Sequence, residues 1–451
     1  MSSVNPVAPA LAELLRRFLG VGLPVTLRAW DGSIAGPRDG GPVLHVKSRR
    51  ALRRLLWDPN ELGIARAYIS GEVDVEGDLY EGLSRFWALI TDAGVGRPTL
   101  SVRDRLDMVR AALRLRVLGP RPAPPAREAR LSGSKHSKAR DRAAIAHHYD
   151  LSNDFYAALL DGHMAYSCGY WTSQDPGYTL ADAQRDKLDL ICTKLGLLPG
   201  MRLLDVGCGW GSLVIHAAKH YGVSATGITI SAQQREHILG RIEAEGLGDL
   251  VEVRLQDYRE ITDAPFDAIG TVEMGEHVGA ENYATYAATL HRMLKPGGRV
   301  VVQQMSRAGI APGGGAFIES YIAPDMTMVP VGDTTTALER AGLEIRDVHV
   351  LREHYVRTIL AWAATLEGNW PRFVDLVGEA EARVWRLYLI GSALAFGENR
   401  MGVNQILAVR TPSNGHSAMP WVREDGVPVT GHAEQQPATT NGVAQRAAAT
   451  T

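Results

Sequence analysis

Apolar positions change their period along the chain, and those changes divide it. Leu11, Leu14, Leu15 and Phe18 recur at helical spacing, and Val25–Leu27 and Val43–Val46 read as strands around the Gly/Pro/Asp-rich stretch 31–42. A helix is predicted at Arg49–Leu56, a polar turn at Asp58–Asn60, and mixed short helix and strand signals over Gly63–Leu83. Residues 1–118 therefore read as a small α+β domain without a catalytic constellation. Gly119 to Pro125 cannot continue a helix, because proline lacks the donor and fixes φ, so 119–140 reads as a stiff linker. From 141 to 411 the pattern alternates. Arg202–Val206, Ser224–Thr229, Val251–Leu255, Asp267–Val272 and Arg299–Gln304 read as buried strands separated by helices, the signature of a doubly wound α/β sheet. Leu343–Leu351 and Val403–Arg410 are candidates for its last strands, and helical patterns at Thr358–Leu366 and Ala380–Phe396 interrupt that order as a predicted lid. Residues 412–451 hold few large apolar side chains and are expected to stay disordered.

Composition narrows the class only a little. The 451 residues are 45% hydrophobic and 22% charged, with a net charge of −2, as in an ordinary globular protein. Three cysteines, Cys168, Cys192 and Cys208, give neither a disulfide framework nor a metal-type spacing, so no metal is expected. The N-terminus does not read as a signal peptide, and no stretch approaches the roughly 18–20 apolar residues of a membrane span. A membrane substrate would have to be reached from outside the bilayer. One segment departs from the average: Ser101–Arg140 carries Arg103, Arg105, Arg110, Arg114, Arg116, Arg121, Arg127, Arg130, Lys135, Lys138 and Arg140 against only Asp104, Asp107 and Glu128. It reads either as a solvated helix and linker or as an attractor of anionic headgroups, each basic residue near such a surface being worth about 1 kcal/mol. No nucleic-acid partner is read from it.

The sharpest motif is Leu203-Leu-Asp205-Val-Gly207-Cys-Gly209-Trp-Gly211, which ends a strand and opens a helix. Its Gly-x-Gly-x-Gly spacing, with an acid two residues before the first glycine, favours S-adenosylmethionine over a dinucleotide. Glycines let the backbone approach a ligand closely, and the acid suits the cofactor's ammonium. The second strand ends in Thr229, with Gln234 close behind, polar groups placed to meet ribose hydroxyls. The third runs into Asp257 and Tyr258, an acid and an aromatic suited to border an adenine.

Two further segments complete a recognisable set: His147-His-Tyr149-Asp150-Leu-Ser152-Asn153-Asp154-Phe155-Tyr156 continuing to Met164–Trp171, and Glu273-Met-Gly-Glu276-His277-Val278-Gly279. With the glycine loop they resemble the cyclopropane-fatty-acid synthase family, strongly over about 141–411 and weakly over the first domain. There, Gly63–Leu83 resembles the N-terminal lipid-docking domain of full-length bacterial synthases. The resemblance implies a seven-stranded, Rossmann-like class I methyltransferase sheet that transfers methyl from S-adenosylmethionine to a cis alkene. It places the cofactor on Tyr166, Ser167, the loop of Asp205, Gly207, Gly209 and Gly211, and on Thr229, Gln234 and Tyr258, to which the strand-end reading adds Asp257. It also implies a bicarbonate ion acting as general base, held by Cys168, Glu276 and Tyr355. A homodimer, peripheral on the inner face of the cell membrane, follows from the same resemblance.

The chain departs from that family in the pocket. Gln303 stands where the family has a histidine at the end of the fifth strand, and Ser392 where it has a cysteine. Glutamine donates and accepts hydrogen bonds but cannot carry a proton charge. The reading drawn from Gln303 is a mid-chain methylene branch on an unsaturated phospholipid acyl chain, which a separate reductase could saturate. A cyclopropane ring, a soluble methyl acceptor and a catalytically inactive lipid-binding protein are the alternatives. Attack by an alkene leaves a carbocation, which a dry pocket and aromatic faces would protect; Tyr166, Tyr170, Trp171 and Trp210 are the candidates.

Overall fold

The computed structural model describes residues 6–19, 22–92, 110, 112–129, 133–138, 140–141, 143–144, 152–307 and 315–420. Two sheets organise them. Strands β1 (Thr26–Ala29), β2 (Ile34–Ala35), β3 (Val43–Val46) and β4 (Val73–Glu76) form a small sheet in the order β2-β1-β3-β4, with β1 and β3 parallel. Helices Val7–Leu19, Arg49–Trp57, Glu61–Ile69 and Leu79–Asp92 accompany it. Caps set two of these starts: Ser48 accepts from the Arg50 N–H and Asn60 from the Gly63 N–H. The expected α+β arrangement is present.

The large sheet contains β5 (Arg202–Val206), β6 (Ser224–Thr229), β7 (Val251–Leu255), β8 (Phe266–Val272), β9 (Leu294–Ser306), β10 (Glu344–Val350) and β11 (Gly402–Val409), in the order β10-β11-β9-β8-β5-β6-β7. β11 runs antiparallel to both neighbours, and β5 through β9 are parallel. Alternation along the strands divides the core between the two faces. Leu203, Val301 and Leu407 pack on one side, and Leu204, Val300, Val302 and Ile406 on the other. The chain's winding reverses between β5 and β8, which opens a crevice at the carboxyl ends of those strands.

The helices Arg352–Gly368, Trp370–Val377 and Glu379–Gly397 are inserted between β10 and β11. They build an aromatic core from Phe155, Tyr156, Trp210, Trp362, Phe373 and Trp385, into which Tyr68 and Leu79 of the first domain also pack. Buried Arg383 fastens the two parts. Its guanidinium donates to the carbonyls of Tyr68 (2.8 Å) and Val73 (2.9 Å) and to Asp74 (3.1 Å), and lies 4.4 Å over the Tyr68 ring.

Two expectations about the connections change. The segment 119–125 is not a free spacer: Trp57 Nε1 donates to the Gly119 carbonyl, and buried Arg54 reaches both Glu72 and the Ala123 carbonyl. Among its basic residues and those that follow, Arg121, Arg127, Lys138 and Arg140 pair with Asp58, Glu381, Glu260 and Asp325. Their charge is therefore paired with acids of the fold, although Arg121, Arg127 and Lys138 stay exposed. The compact unit also continues through Met419, which packs against the sheet, whereas the sequence places the tail from 412. The remaining tail and the segment His147–Asp150 lie outside the described residues.

Replacing Arg383 by alanine removes these anchors and leaves Asp74 with Lys47 alone; we expect a loss of about 3 kcal/mol, read as a lower urea midpoint.

Candidate active site

The glycine loop turns out of β5 with Gly207, Gly209 and Gly211 all at positive φ. A Cβ on Gly207 would come within 2.7 Å of the Met274 side chain, so conformation and space both require glycine there. Tyr166, Ser167, Asp205, Gly207, Gly209, Thr229, Gln234, Asp257 and Tyr258 line one cavity over this crevice. Gly211 does not line it; it begins the helix Ser212–Tyr221.

The polar groups around this cavity suit an adenosyl amino acid. Asp205 is buried, and its Oδ1 has no hydrogen-bond partner among the described residues. Burial pushes its carboxyl up to about 7, offset only in part by Lys187. Such a group gains from an incoming ammonium. Lys187, itself buried, donates to Ser167 Oγ at 2.9 Å. Thr229 Oγ1 donates to Gln234 Oε1 at 2.7 Å, a fixed polar pair at the end of β6. Tyr258 Oη is also buried without a partner among the described residues. Asp257 is already held by the Arg259 side chain and backbone N–H, which places it in the wall rather than free for a ligand.

A second cavity of about 870 Å³ runs through the first domain. Its walls include Leu14, Leu27, Val46, Leu52 and Phe86 from that domain and Ile359, Leu387 and Phe396 from the inserted helices. The two cavities meet at Tyr166, Glu273 and His277, which line both. Tyr355, Tyr388 and Ser392 line the apolar cavity. The Tyr166 hydroxyl lies 3.0 Å from that of Tyr388. Burial, with His136 nearby, pushes His277 down to about 4, so it is neutral at physiological pH.

Glu273 is the residue that sequence reasoning missed. It appears in the motif but was given no role. Its Oε1 accepts from the Cys168 backbone N–H (2.8 Å) and from Gln303 Nε2 (3.0 Å), and its Oε2 accepts from Tyr355 Oη (2.6 Å). Three of the four expected pocket residues thus converge on it. Cys168 contributes its backbone; its thiol faces the carbonyls of Gly169 and Leu351, and burial keeps it protonated. Glu276 is placed differently. Its Oε1 accepts the Met305 N–H at 2.5 Å, its Oε2 is unpartnered among the described residues, and burial beside Glu273 pushes it up to about 8. The signal for Glu273 was positional: a carboxylate at the carboxyl end of the strand beside the cofactor strand, where α/β sheets bind their ligands. Among the aromatic candidates, Tyr166 reaches the junction and Trp210 the cofactor cavity. Tyr170 stacks near His354, and Trp171 donates to Thr358, so both serve packing.

Strand order, glycine loop and cavity define a class I S-adenosylmethionine-dependent methyltransferase. A family model described as mycolic acid cyclopropane synthetase matches residues 136–406, and the chain belongs to that family. Over 426 residues it is 37% identical to a Mycobacterium tuberculosis protein named probable fatty acid methyltransferase, covering 91% of this chain and 97% of that one. It is 32% identical over 422 residues to the tuberculostearic acid methyltransferase UfaA1 of the same organism, covering 90% and 93%. Among solved structures, mycolic acid cyclopropane synthase CmaA1 complexed with SAH and CTAB matches with a TM-score of 0.56 and 31% identity, over 59% of this chain and 98% of that one. The chain is therefore an enzyme that uses S-adenosyl-L-methionine and acts on lipids.

With Asp205 near half-protonated at neutral pH and ionised once paired, S-adenosylhomocysteine should bind about tenfold more weakly at pH 6 than at pH 8. Titration calorimetry would show this slope, and Asp205→Asn should abolish it.

Proposed function

We propose that this enzyme methylates the cis double bond of an unsaturated acyl chain in membrane phospholipid and leaves a mid-chain methylene branch. The observation that carries the substrate class is the apolar cavity. Its volume lies within the roughly 300–1,000 Å³ of ligand pockets, its walls are predominantly hydrocarbon, and it ends where the cavity over the glycine loop begins. A soluble amine would find few partners there.

Bound over the glycine loop, S-adenosylmethionine supplies an electrophilic methyl group on a positively charged sulfur. The residues of this chain do the rest. Asp205 and the loop orient the cofactor, and the apolar walls hold the alkene and keep water from the cation that forms on the acyl chain. Tyr166, Tyr355 and Tyr388 present aromatic rings beside that position. Gln303 supports the branch reading, since it gives this pocket a neutral donor where the resemblance expects a histidine. The similarity to a tuberculostearic acid methyltransferase over nine tenths of the chain supports it too. A methylene product would then pass to a separate reductase for addition of two hydrogens.

Access to the bilayer is proposed at the open side of the first domain. No helix among the described residues is long and apolar enough to cross a membrane. Trp57, Ile64, Leu113 and Leu118 are exposed, and Arg114 and Arg116 stand exposed among them. Ile64 and neighbouring Leu56 also line the apolar cavity, which ties this patch to its mouth. An anionic surface fits this mix of apolar and cationic groups. Exchanging Arg114 and Arg116 together for glutamine should weaken binding to anionic vesicles roughly thirtyfold, about 1 kcal/mol for each charge, as read by sedimentation.

Mass spectrometry of fatty acids from an oleate-rich host expressing the protein should show chains heavier by one carbon, with the added group reacting as an alkene on derivatisation. A product inert to that chemistry would be a ring and would end the branch reading. No new lipid, with soluble protein that binds cofactor, would end the acyl-chain reading.

A further inference from the structure

Glu273 holds φ at +51°, a left-handed conformation that costs a residue with a side chain about 1–2 kcal/mol. The surrounding structure maintains it: its N–H donates to the Gln303 carbonyl, and its carboxylate collects Cys168, Gln303 and Tyr355. Gln303 is itself aimed. Its Oε1 accepts from Gln405 Nε2 at 2.8 Å, so its Nε2 is left to donate to Glu273. Cys168 and Gln303 line neither cavity and lie behind Glu273, which faces both. Two of these donors, Cys168 and Tyr355, belong to residues the resemblance assigns to a bicarbonate ion, and the third, Gln303, stands at the family's histidine place. Here they are engaged by a carboxylate that belongs to the chain, and a free bicarbonate would need the same donors and the same space.

We infer that Glu273 is the general base of the reaction, its side-chain carboxylate standing in the cradle expected to hold bicarbonate, so that this enzyme works without that ion. The inference rests on the acyl-chain methylation proposed above. Oε1 already accepts two N–H groups, and Oε2 accepts one O–H, so Oε2 keeps a lone pair for a proton. After methyl transfer the acyl chain carries a cation. A hydride shift moves it to the methyl-bearing carbon. One methyl C–H bond then breaks, its electron pair becomes the C=C bond of the methylene group, and the proton forms an O–H bond on Oε2. This step oxidises and reduces nothing and needs no further reactant. Burial strengthens Glu273 as a base, while its hydrogen bonds keep the carboxylate available. A neutral amide at 303 weakens that base less than an imidazolium would.

Turnover of dioleoyl phospholipid vesicles should be the same in buffer stripped of carbon dioxide and in buffer with millimolar bicarbonate. Glu273→Gln should lower turnover about 10²–10⁴-fold while calorimetric binding of S-adenosylhomocysteine persists. Glu273→Gly, free of the φ penalty, should open the cradle. Carbon-13 NMR should then detect labelled bicarbonate bound to the glycine variant and none bound to the unaltered enzyme. Bicarbonate stimulation of the unaltered enzyme, bicarbonate bound in its cradle, or full turnover by Glu273→Gln would each overturn the inference. If the unaltered enzyme methylates no lipid in either buffer, the acyl-chain reading fails instead, and the NMR comparison still decides what occupies the cradle.

Discussion

A carboxylate buried away from water must be surrounded by donors, and that requirement at Glu273 organises the centre of this molecule. Burying an unpaired charge costs several kcal/mol, so each donor has to arrive from a structure rigid enough to keep it in place. Gln303 comes from β9, Gln405 steadies it from β11 at the directly opposed register position, Cys168 comes from the segment before the helix Leu180–Leu195, and Tyr355 comes from the inserted helix Arg352–Gly368. Separate parts of the chain must fold together before the charge is compensated. The arrangement links folding of the sheet to assembly of the site.

The second demand is dryness. The apolar cavity is not enclosed by the methyltransferase sheet; its walls are shared between the first domain and the inserted helices. Neither part closes it alone, which gives the anchors between them a functional meaning. Arg383 joins the helix Glu379–Gly397 to Tyr68, Val73 and Asp74, while Arg66 ties the first domain's own helix Glu61–Ile69 to Asp58 and to Glu128 of the segment that follows that domain. Within the basic segment that reads as a membrane attractor in the sequence, Arg121, Arg127, Lys138 and Arg140 pair with acids of the fold. Exposed Arg114 and Arg116 sit beside exposed apolar side chains.

The sheet was legible because its strands are short, buried runs bounded by turns. β5, β6 and β7 fall on the residues their pattern predicted, while β9 starts earlier, at Leu294, because Leu294 pairs with Phe266 and a register shift then takes up the turn-like residues Pro296 to Gly298 before Arg299 pairs with Ala268. The residues that line the cavity over the glycine loop were legible for the same reason, since they follow strand ends in order. The base was not. Cys168 was expected in the cradle, but its thiol faces away, and its backbone N–H, invisible in a side-chain motif, makes the contact. Glu276 drew attention from Glu273 because both lie in one motif, and only the left-handed turn at 273 decides which carboxylate points into the junction. Whether Tyr170 and Trp171 packed or faced substrate likewise depended on the partner helix.

On the proposed function, cofactor and acceptor are handled by different parts of the chain. The glycine loop, Thr229 and Tyr258 stand on consecutive elements of the sheet, so the crevice follows from topology alone. Tyr355, Tyr388 and Ser392 arrive on an insertion between β10 and β11, and the hydrocarbon walls on a domain added before the sheet. Insertions can change without disturbing parallel strand pairing, whereas the sheet cannot change without losing the crevice. Glu273 lies at the boundary, with its backbone at the end of a sheet strand and its carboxylate completed by the insertion's tyrosine. A base at that place is fixed to the electrophile's side of the pocket by covalent geometry, and the insertion decides what is brought to it.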